Sequence, residues 1–214
     1  MGAELVGSRR VGSYGPIAPF RLPVILAEFA ARHPHITVDI VEGDLERLHA
    51  ALSSGECELA LLYDLGLPEG FTSEVLATVP PHVLVAADHP AAIAGGPVRL
   101  RDFAEEPLVT LSSPHSGEYY DQLFASLGIT PRVRHRLGGY ETVRSFVAAG
   151  HGYAVLNQRV GAMTHAGTEA VALDIEEELR PIDVLLARPE GAPTRRAQAF
   201  SAVCAELYHR YWEA

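Results

Sequence analysis

The feature that most restricts the fold is a β-α-β-α-β order that runs through the chain twice. Strand-like apolar runs and helix-period segments alternate as "RRVGSY", "LPVILAEFAARHP", "ITVDIVEG", "LERLHAALSSG" and "ELALLYD", and again as "LVTLSS", "GEYYDQLFASLG", "PRVRHRL", "YETVRSFVAAG" and "GYAVLN". Turn formers keep a nearly constant offset between the two copies: Pro34 to Pro131 is 97 residues, Gly43 to Gly139 is 96, and Gly55 to Gly150 is 95. Solenoid repeats run about 20 to 50 residues, so this spacing predicts two similar lobes rather than a stack. Parallel neighbours need a crossover helix, and the order therefore predicts a largely parallel sheet in each lobe. Leu22, Ile25, Leu26, Phe29 and Ala30 fall on one face of the first helix, and Leu45, Leu48, His49 and Leu52 on one face of the second.

Between the copies, "TSEVLATVPPHVLVAADHP" holds two apolar runs broken at Pro80 and Pro81, and "VALDIEEELRPIDVLLARP" repeats this around Pro181. Proline is tolerated in a strand only where ladder bonding lapses, so each stretch reads as a strand leaving one lobe and entering the other. The expected division is residues 1–79 plus 181–214 for lobe I and 80–180 for lobe II. The last helix, with Phe200, Val203, Cys204, Leu207, Tyr208 and Tyr211 on one face, is expected to pack on lobe I. Two α/β lobes joined by two crossings predict a hinged ligand cleft.

Composition narrows the function. A chain of 214 residues, 48% hydrophobic and 21% charged, supports a sizeable core. A net charge of −10 disfavours this chain alone as the holder of a phosphate backbone, which requires clustered cations. The one dense basic run, "RVRHR" at 132–136, alternates like a strand and reads as a solvated or partner-facing edge. No run approaches the roughly 20 apolar residues of a membrane helix, and "MGAELVGSRRVGSYGP" has no apolar signal core, so a cytoplasmic location is expected. Cys57 and Cys204 do not form a zinc pattern or a disulfide framework and read as buried thiols, with a redox pair as the alternative. His33 and His35 lack a third ligand, and the remaining histidines share no spacing, so neither a metal nor a cofactor is expected.

Ligands of open α/β sheets sit beyond the carboxyl ends of the strands, near helix N-termini. The residues so placed are Ser13, Tyr14 and Gly15, then Tyr63 and Asp64, in the first copy, and Ser112, Ser113, His115 and Ser116, then Asn157, in the second. Simpler roles stand beside the binding one: Ser116 as a helix N-cap, Ser112, Ser113 and Asp64 as turn formers, and His115 as a surface turn residue. A G-x-S-x-G elbow, a phosphate loop and a G-x-G-x-x-G turn are all lacking, and Asp64 has no second carboxylate nearby. Catalysis is disfavoured, and the site residues read as recognition groups.

In order, "GSYGPIAPFRLPVILAEFAARHPHITVDIVEGDLERLHAALSSGECELALLYD", "DHPAA", "LRDFAEEPLVTL" and "GYETVRSFVAAGHGYAVLN" resemble the effector-binding domain of LysR-type transcriptional regulators. The resemblance covers essentially the whole chain. It implies a type 2 periplasmic-binding-protein-like fold, with an inducer pocket at Ser13, Tyr14, Gly15, Tyr63, Asp64, Ser112, Ser113, His115 and Asn157. It also implies a DNA-binding winged helix-turn-helix and linker helix preceding this domain, so that "MGAELVGSRR" reads as an artificial start. Side-by-side antiparallel homodimers are implied too, with the 17–32 helix against the partner's 141–149 helix, and tetramers in full-length members. Ala30, Ala31, Ala148 and Ala149 either permit that approach or face their own sheet. Where many members begin the first helix with Ser or Thr, this chain has Gly15 and Pro16. That departure weakens the expectation of a carboxylate effector, while Tyr14, Tyr63 and Tyr140 favour a ring-bearing one, so the effector is left as a small acid or an aromatic compound. A stand-alone solute-binding protein and an enzyme on the same fold, such as a deaminase or dehydratase relative, are the alternatives.

Overall fold

The structure, a computed structural model, describes residues 7–212; "MGAELV", the beginning of the stretch read as an artificial start, lies outside the described residues. The elements in chain order are β1 (Gly7–Tyr14), α1 (Ala18–Arg32), β2 (Ile36–Gly43), α2 (Leu45–Ser53), β3 (Leu59–Tyr63), β4 (Phe71–Val79), β5 (His82–Ala86) and α3 (Pro90–Ala94). A 3-10 turn (Leu100–Phe103) follows, then β6 (Pro107–Leu111), α4 (Ser116–Ser126), β7 (Arg132–Leu137), α5 (Tyr140–Ala148), β8 (Ala154–Leu156), β9 (Ala170–Asp174), β10 (Ile182–Pro189) and α6 (Arg195–Tyr211). Contacts divide the chain into a first unit, up to Val79 and again from Asp183, and a second unit, Pro80–Ile182.

The first unit is built on a five-stranded sheet ordered β2-β1-β3-β10-β4. β1 is flanked in parallel by β2 and β3, and β10 runs antiparallel to β3. Every residue of β3, "LALLY", is buried, as the unbroken apolar run of a doubly covered strand requires. Leu22, Ile25 and Phe29 of α1 are buried, each worth roughly 1.5–3 kcal/mol of transfer energy. The Phe29 ring meets Phe200 of α6 edge-on, with centroids 5.2 Å apart, so the last helix covers this sheet beside α1. Ala30, expected on the same face, is instead exposed: position i+8 lies 80° around the helix from i, beyond α1's narrow buried stripe. In α2 the Asp44 carboxylate accepts the Arg47 N–H at 2.8 Å as an N-cap, and Leu45, Leu48, His49 and Leu52 are buried.

The second unit repeats the plan. β5 lies between antiparallel β8 and β9, while β6 and β7 form a parallel pair. The two pieces meet at Tyr153, whose C=O accepts the Val109 N–H at 2.8 Å and whose N–H donates to the Pro107 carbonyl at 3.0 Å. The order β7-β6-β8-β5-β9 that results is the counterpart of β2-β1-β3-β10-β4. Gly152 makes the junction possible: its φ is +140°, and a Cβ there would sit 1.9 Å from the Pro107 oxygen. β7, the basic run, is an outer strand whose arginines are exposed, an arrangement that discourages edge-to-edge pairing. On α5, the buried Arg144 guanidinium bonds Glu141 at 2.7 Å and reaches the carbonyls of Gly161, Ala162 and Met163. The other Glu141 oxygen accepts the His165 N–H at 2.7 Å, so the pair fastens the 159–169 segment to α5.

Replacing Gly152 with alanine is expected to lower the unfolding free energy by more than about 2 kcal/mol in urea titrations. Gly55, at φ +73° with open space around it, serves as the control and is expected to lose only about 1 kcal/mol on the same substitution.

Candidate functional site

In the first unit the expected residues gather at the carboxyl edge of the sheet. Ser13 and Tyr14 end β1, Tyr63 ends β3, and the Tyr14 and Tyr63 rings meet edge-on at 5.2 Å. Both rings are buried, so they form the wall of the edge rather than its outer surface. The Ser13 hydroxyl is fully buried and has no hydrogen-bond partner within the protein, which for a hydroxyl costs about 1–3 kcal/mol unless something supplies one. Asp64 serves the sheet: one carboxylate oxygen accepts the Asp183 N–H at 3.0 Å, and its own N–H donates to the Asp183 carbonyl at 3.0 Å. The start of α1 is short of donors. Pro16 and Pro19 have no N–H, the Gly15 N–H is bound to the Gly43 carbonyl at 3.0 Å, and the Ile17 N–H to the Tyr14 carbonyl at 2.8 Å.

In the second unit the stretch after β6 folds into a tight turn. The Ser116 N–H donates to the Pro114 carbonyl at 2.8 Å, with His115 between them at φ +65° and ψ −41°. This is a three-residue γ-turn of the strained hand, and His115 is the one non-glycine residue with positive φ among the described residues. Strain of this kind costs about 1–3 kcal/mol and persists only where the surroundings hold it. The alternative role of Ser116 as a helix N-cap fails: His115 is the N-cap residue and makes no side-chain cap bond, while Ser116 is already helical and buried. The displacement follows from the γ-turn, which uses the Ser116 N–H before the helix begins. The Gly117 N–H donates to the Ser113 carbonyl at 2.9 Å and the Tyr119 N–H to the His115 carbonyl at 3.1 Å, so this helix start also uses several of its donors internally. Ser112 is exposed and Ser113 buried.

Asn157, just past β8, is brought to the same helix. Its Nδ2 donates to the Tyr119 hydroxyl at 3.0 Å, and that hydroxyl donates to the Arg180 carbonyl at 2.6 Å. Tyr119 thus joins the candidate residues through its bond to Asn157; its one signal in the sequence is its position three residues after Ser116. Tyr140 is buried and donates to the Gln158 carbonyl, so its hydroxyl has a structural task. The thiols are buried: desolvation pushes Cys57 up to about 11 and raises Cys204 further, which keeps both protonated and unreactive at neutral pH. Desolvation, joined by the positive charges of Arg159 and Arg144, drives His82 down to about 3. Among the described residues no cluster of three or more potential metal ligands occurs, and no helix is long and apolar enough to cross a membrane.

Two α/β units of matching strand order, joined by two chain crossings and carrying hydroxyl, imidazole and amide groups at their carboxyl sheet edges, define a small-molecule-binding domain of the type 2 periplasmic-binding-protein-like class. The sequence matches the family described as "LysR substrate binding domain" over residues 2–208, and the chain belongs to that family. It is 25% identical over 181 residues to the HTH-type transcriptional regulator CysB of Haemophilus influenzae, covering 82% of this chain and 54% of that protein. The chain thus spans about half the length of the curated relatives it matches. The C-terminal domain of a probable LysR family transcriptional regulator from Rhodococcus sp. RHA1 superposes with a TM-score of 0.88 at 35% identity, over 94% of this chain and 99% of that one. The effector binding domain of QuiR, solved with shikimate, shares the fold with a TM-score of 0.83 at 18% identity, over 97% of this chain and 99% of its own.

Two outcomes follow. His115→Gly is expected to raise the unfolding free energy by about 1 kcal/mol, because glycine adopts the γ-turn without strain; denaturant midpoints measure it. His82 has an unfolded value near 6.5 and a folded value near 3, so below pH 6.5 the unfolded chain binds the extra proton. Its contribution to stability is retained above pH 6.5 and lost as pH falls toward 3, at up to about 1.4 kcal/mol per pH unit. Stability curves for His82→Leu are expected to be flatter over that interval.

Proposed function

We propose that this chain is the effector-sensing part of a cytoplasmic DNA-binding transcriptional regulator and has no catalytic role of its own. The observation that carries the reading is His115: the chain keeps a strained backbone at this residue, in the turn that follows Ser112 and Ser113 at the end of β6. Ser13, with its buried hydroxyl lacking a partner, and Asn157, tied to Tyr119, supply further recognition groups; Tyr14, Gly15, Tyr63 and Asp64 shape the first unit's edge. QuiR's co-structure with shikimate and that of the BenM effector binding domain with benzoate support a small organic effector. At the helix starts the Gly15, Ile17, Ser116 and Gly117 N–H groups are spent internally, which favours recognition by hydroxyl, imidazole and amide over a grip on a bare carboxylate.

The effector acts through differential affinity for two conformations of the domain, which bias DNA-binding heads carried elsewhere in the full-length protein. Pairing of copies, and tetramers in the full-length protein, would join them. Ala30, Ala31 and Ala149 are exposed and Ala148 half-buried, so the alternative that these alanines simply face their own sheet fails; with exposed Val24 they leave α1 and the end of α5 open to a partner copy.

Thermal-shift titrations with shikimate, benzoate and uncharged aromatics test the site. A ligand that raises Tm for the parent chain is expected to lose at least half of its shift in Ser113→Ala and His115→Ala; full shifts in both variants would remove these residues from the site. Sedimentation tests the pairing: Ala31→Arg is expected to move the chain toward monomer.

A further inference from the structure

The first unit carries a cavity of about 450 Å³, a size typical of small-molecule sites, lined by none of the candidate residues above. Its floor is apolar, formed by Leu59 of β3 and Leu186 of β10, and Ala197 of α6 and Pro193 of the preceding loop complete the apolar lining. Two opposite charges also line it. Glu74 of β4 accepts the Ser201 hydroxyl of α6 at 2.5 Å with one carboxylate oxygen. Arg188 of β10 uses Nη1 on the carbonyls of Pro189, at 3.1 Å, and Gly191, at 2.5 Å. These bonds fix the guanidinium in place while leaving its Nε and Nη2 available, and they leave the second Glu74 oxygen available as well.

The two charges do not pair with each other, although their strands are neighbours in the sheet. The Glu190 N–H bonds the Gly70 carbonyl at 3.0 Å, and continuing that register antiparallel sets Thr72 opposite Arg188 and Glu74 opposite Leu186. Glu74 and Arg188 then occupy diagonal positions on one face of the sheet, about 7–8 Å apart at the backbone, with the apolar floor beside them. A carboxylate and a guanidinium separated by that gap over an aliphatic surface are complementary to a ligand with an ammonium, a carboxylate and a short apolar side chain.

We propose that this cavity is an accessory binding site for a small zwitterion of the apolar α-amino-acid class, with the ammonium on Glu74, the carboxylate on Arg188 and the side chain over Leu59 and Leu186. The site is independent of the effector reading, since none of its residues belongs to that set. A charge-assisted bond at each end and one buried aliphatic group suit an affinity near 1 mM for a molecule of this size.

L-leucine titrated into the 15N-labelled chain, followed by amide chemical shifts, tests the assignment. Saturable shifts confined to β4, β10 and the start of α6 are expected, with Kd about 1 mM. 4-Methylpentanoic acid and 3-methylbutylamine each lack one of the two charges and are expected to bind about 10-fold more weakly, as is L-leucine to Glu74→Gln and to Arg188→Gln. These side chains lie at the surface, and the dispersion of the amide spectrum reports folding directly; Ser201→Ala, which only loosens Glu74, is expected to weaken binding about threefold. His115→Ala is expected to leave Kd unchanged. Absence of saturable shifts up to roughly 20 mM, equal binding of the singly charged analogues, or insensitivity to both charge substitutions would overturn the proposal. Loss of leucine binding in His115→Ala with retention in Glu74→Gln would overturn it as well, by moving the ligand to the other site.

Discussion

Two backbone hydrogen bonds at Tyr153 hold the second unit together as one sheet, and both depend on the missing side chain of Gly152. Without that close approach β6 and β7 would lose their backbone link to β8 and rely on the packing of α4 and α5 alone, a two-stranded ribbon being marginal by itself. The junction also fixes the site. β6 ends at Leu111, two residues before the γ-turn of Pro114–Ser116, and β8 ends at Leu156, immediately before Asn157. Aligning the two strands brings the Asn157 amide to Tyr119 on α4, and the chain of bonds closes at the Arg180 carbonyl. A contact between backbones at one end of the strands thereby sets the separation of recognition groups at the other.

Much of this architecture was legible because its elements obey simple periods. Leu45, Leu48, His49 and Leu52 mark α2 by helical spacing, "LALLY" marks a doubly covered strand by its unbroken apolar run, and Pro80, Pro81 and Pro181 stand where one strand ends and the next begins. The near-constant offset between the copies reappears as matched sheet orders. The β6–β8 join was hidden, because a ladder one residue long has no period and depends on a backbone angle that the letter G only permits. The exposure of Ala30 was hidden for a related reason: small residues carry little polarity signal, and only the width of the packed stripe decides which side of it they occupy.

The candidate site was legible as a place and much less as an arrangement. Short polar residues that interrupt an apolar strand ending, such as Ser112, Ser113 and His115, identify the edge at once. What they leave open is which backbone donors remain available, and that depends on turn geometry. At α1 the two prolines remove donors outright, which is visible in the letters; at α4 the γ-turn spends the Ser116 N–H, which is not. Tyr119 escaped notice because a tyrosine on an amphipathic helix looks like core until its hydroxyl is seen to join Asn157 to Arg180. Likewise the Glu141 and Arg144 pair resembles an ordinary exposed i,i+3 ion pair, yet the guanidinium is buried and gathers three carbonyls of a following loop.

The buried thiols carry a practical consequence. Both native cysteines lie inside the first unit with their protonation favoured by burial, so neither presents a thiolate at neutral pH. A cysteine introduced at an exposed position away from the proposed pairing face, such as Ile93, would therefore be alkylated selectively in the unaltered background. The domain is in effect ready for single-site attachment of a fluorophore or spin label, with no native sulfur to delete first.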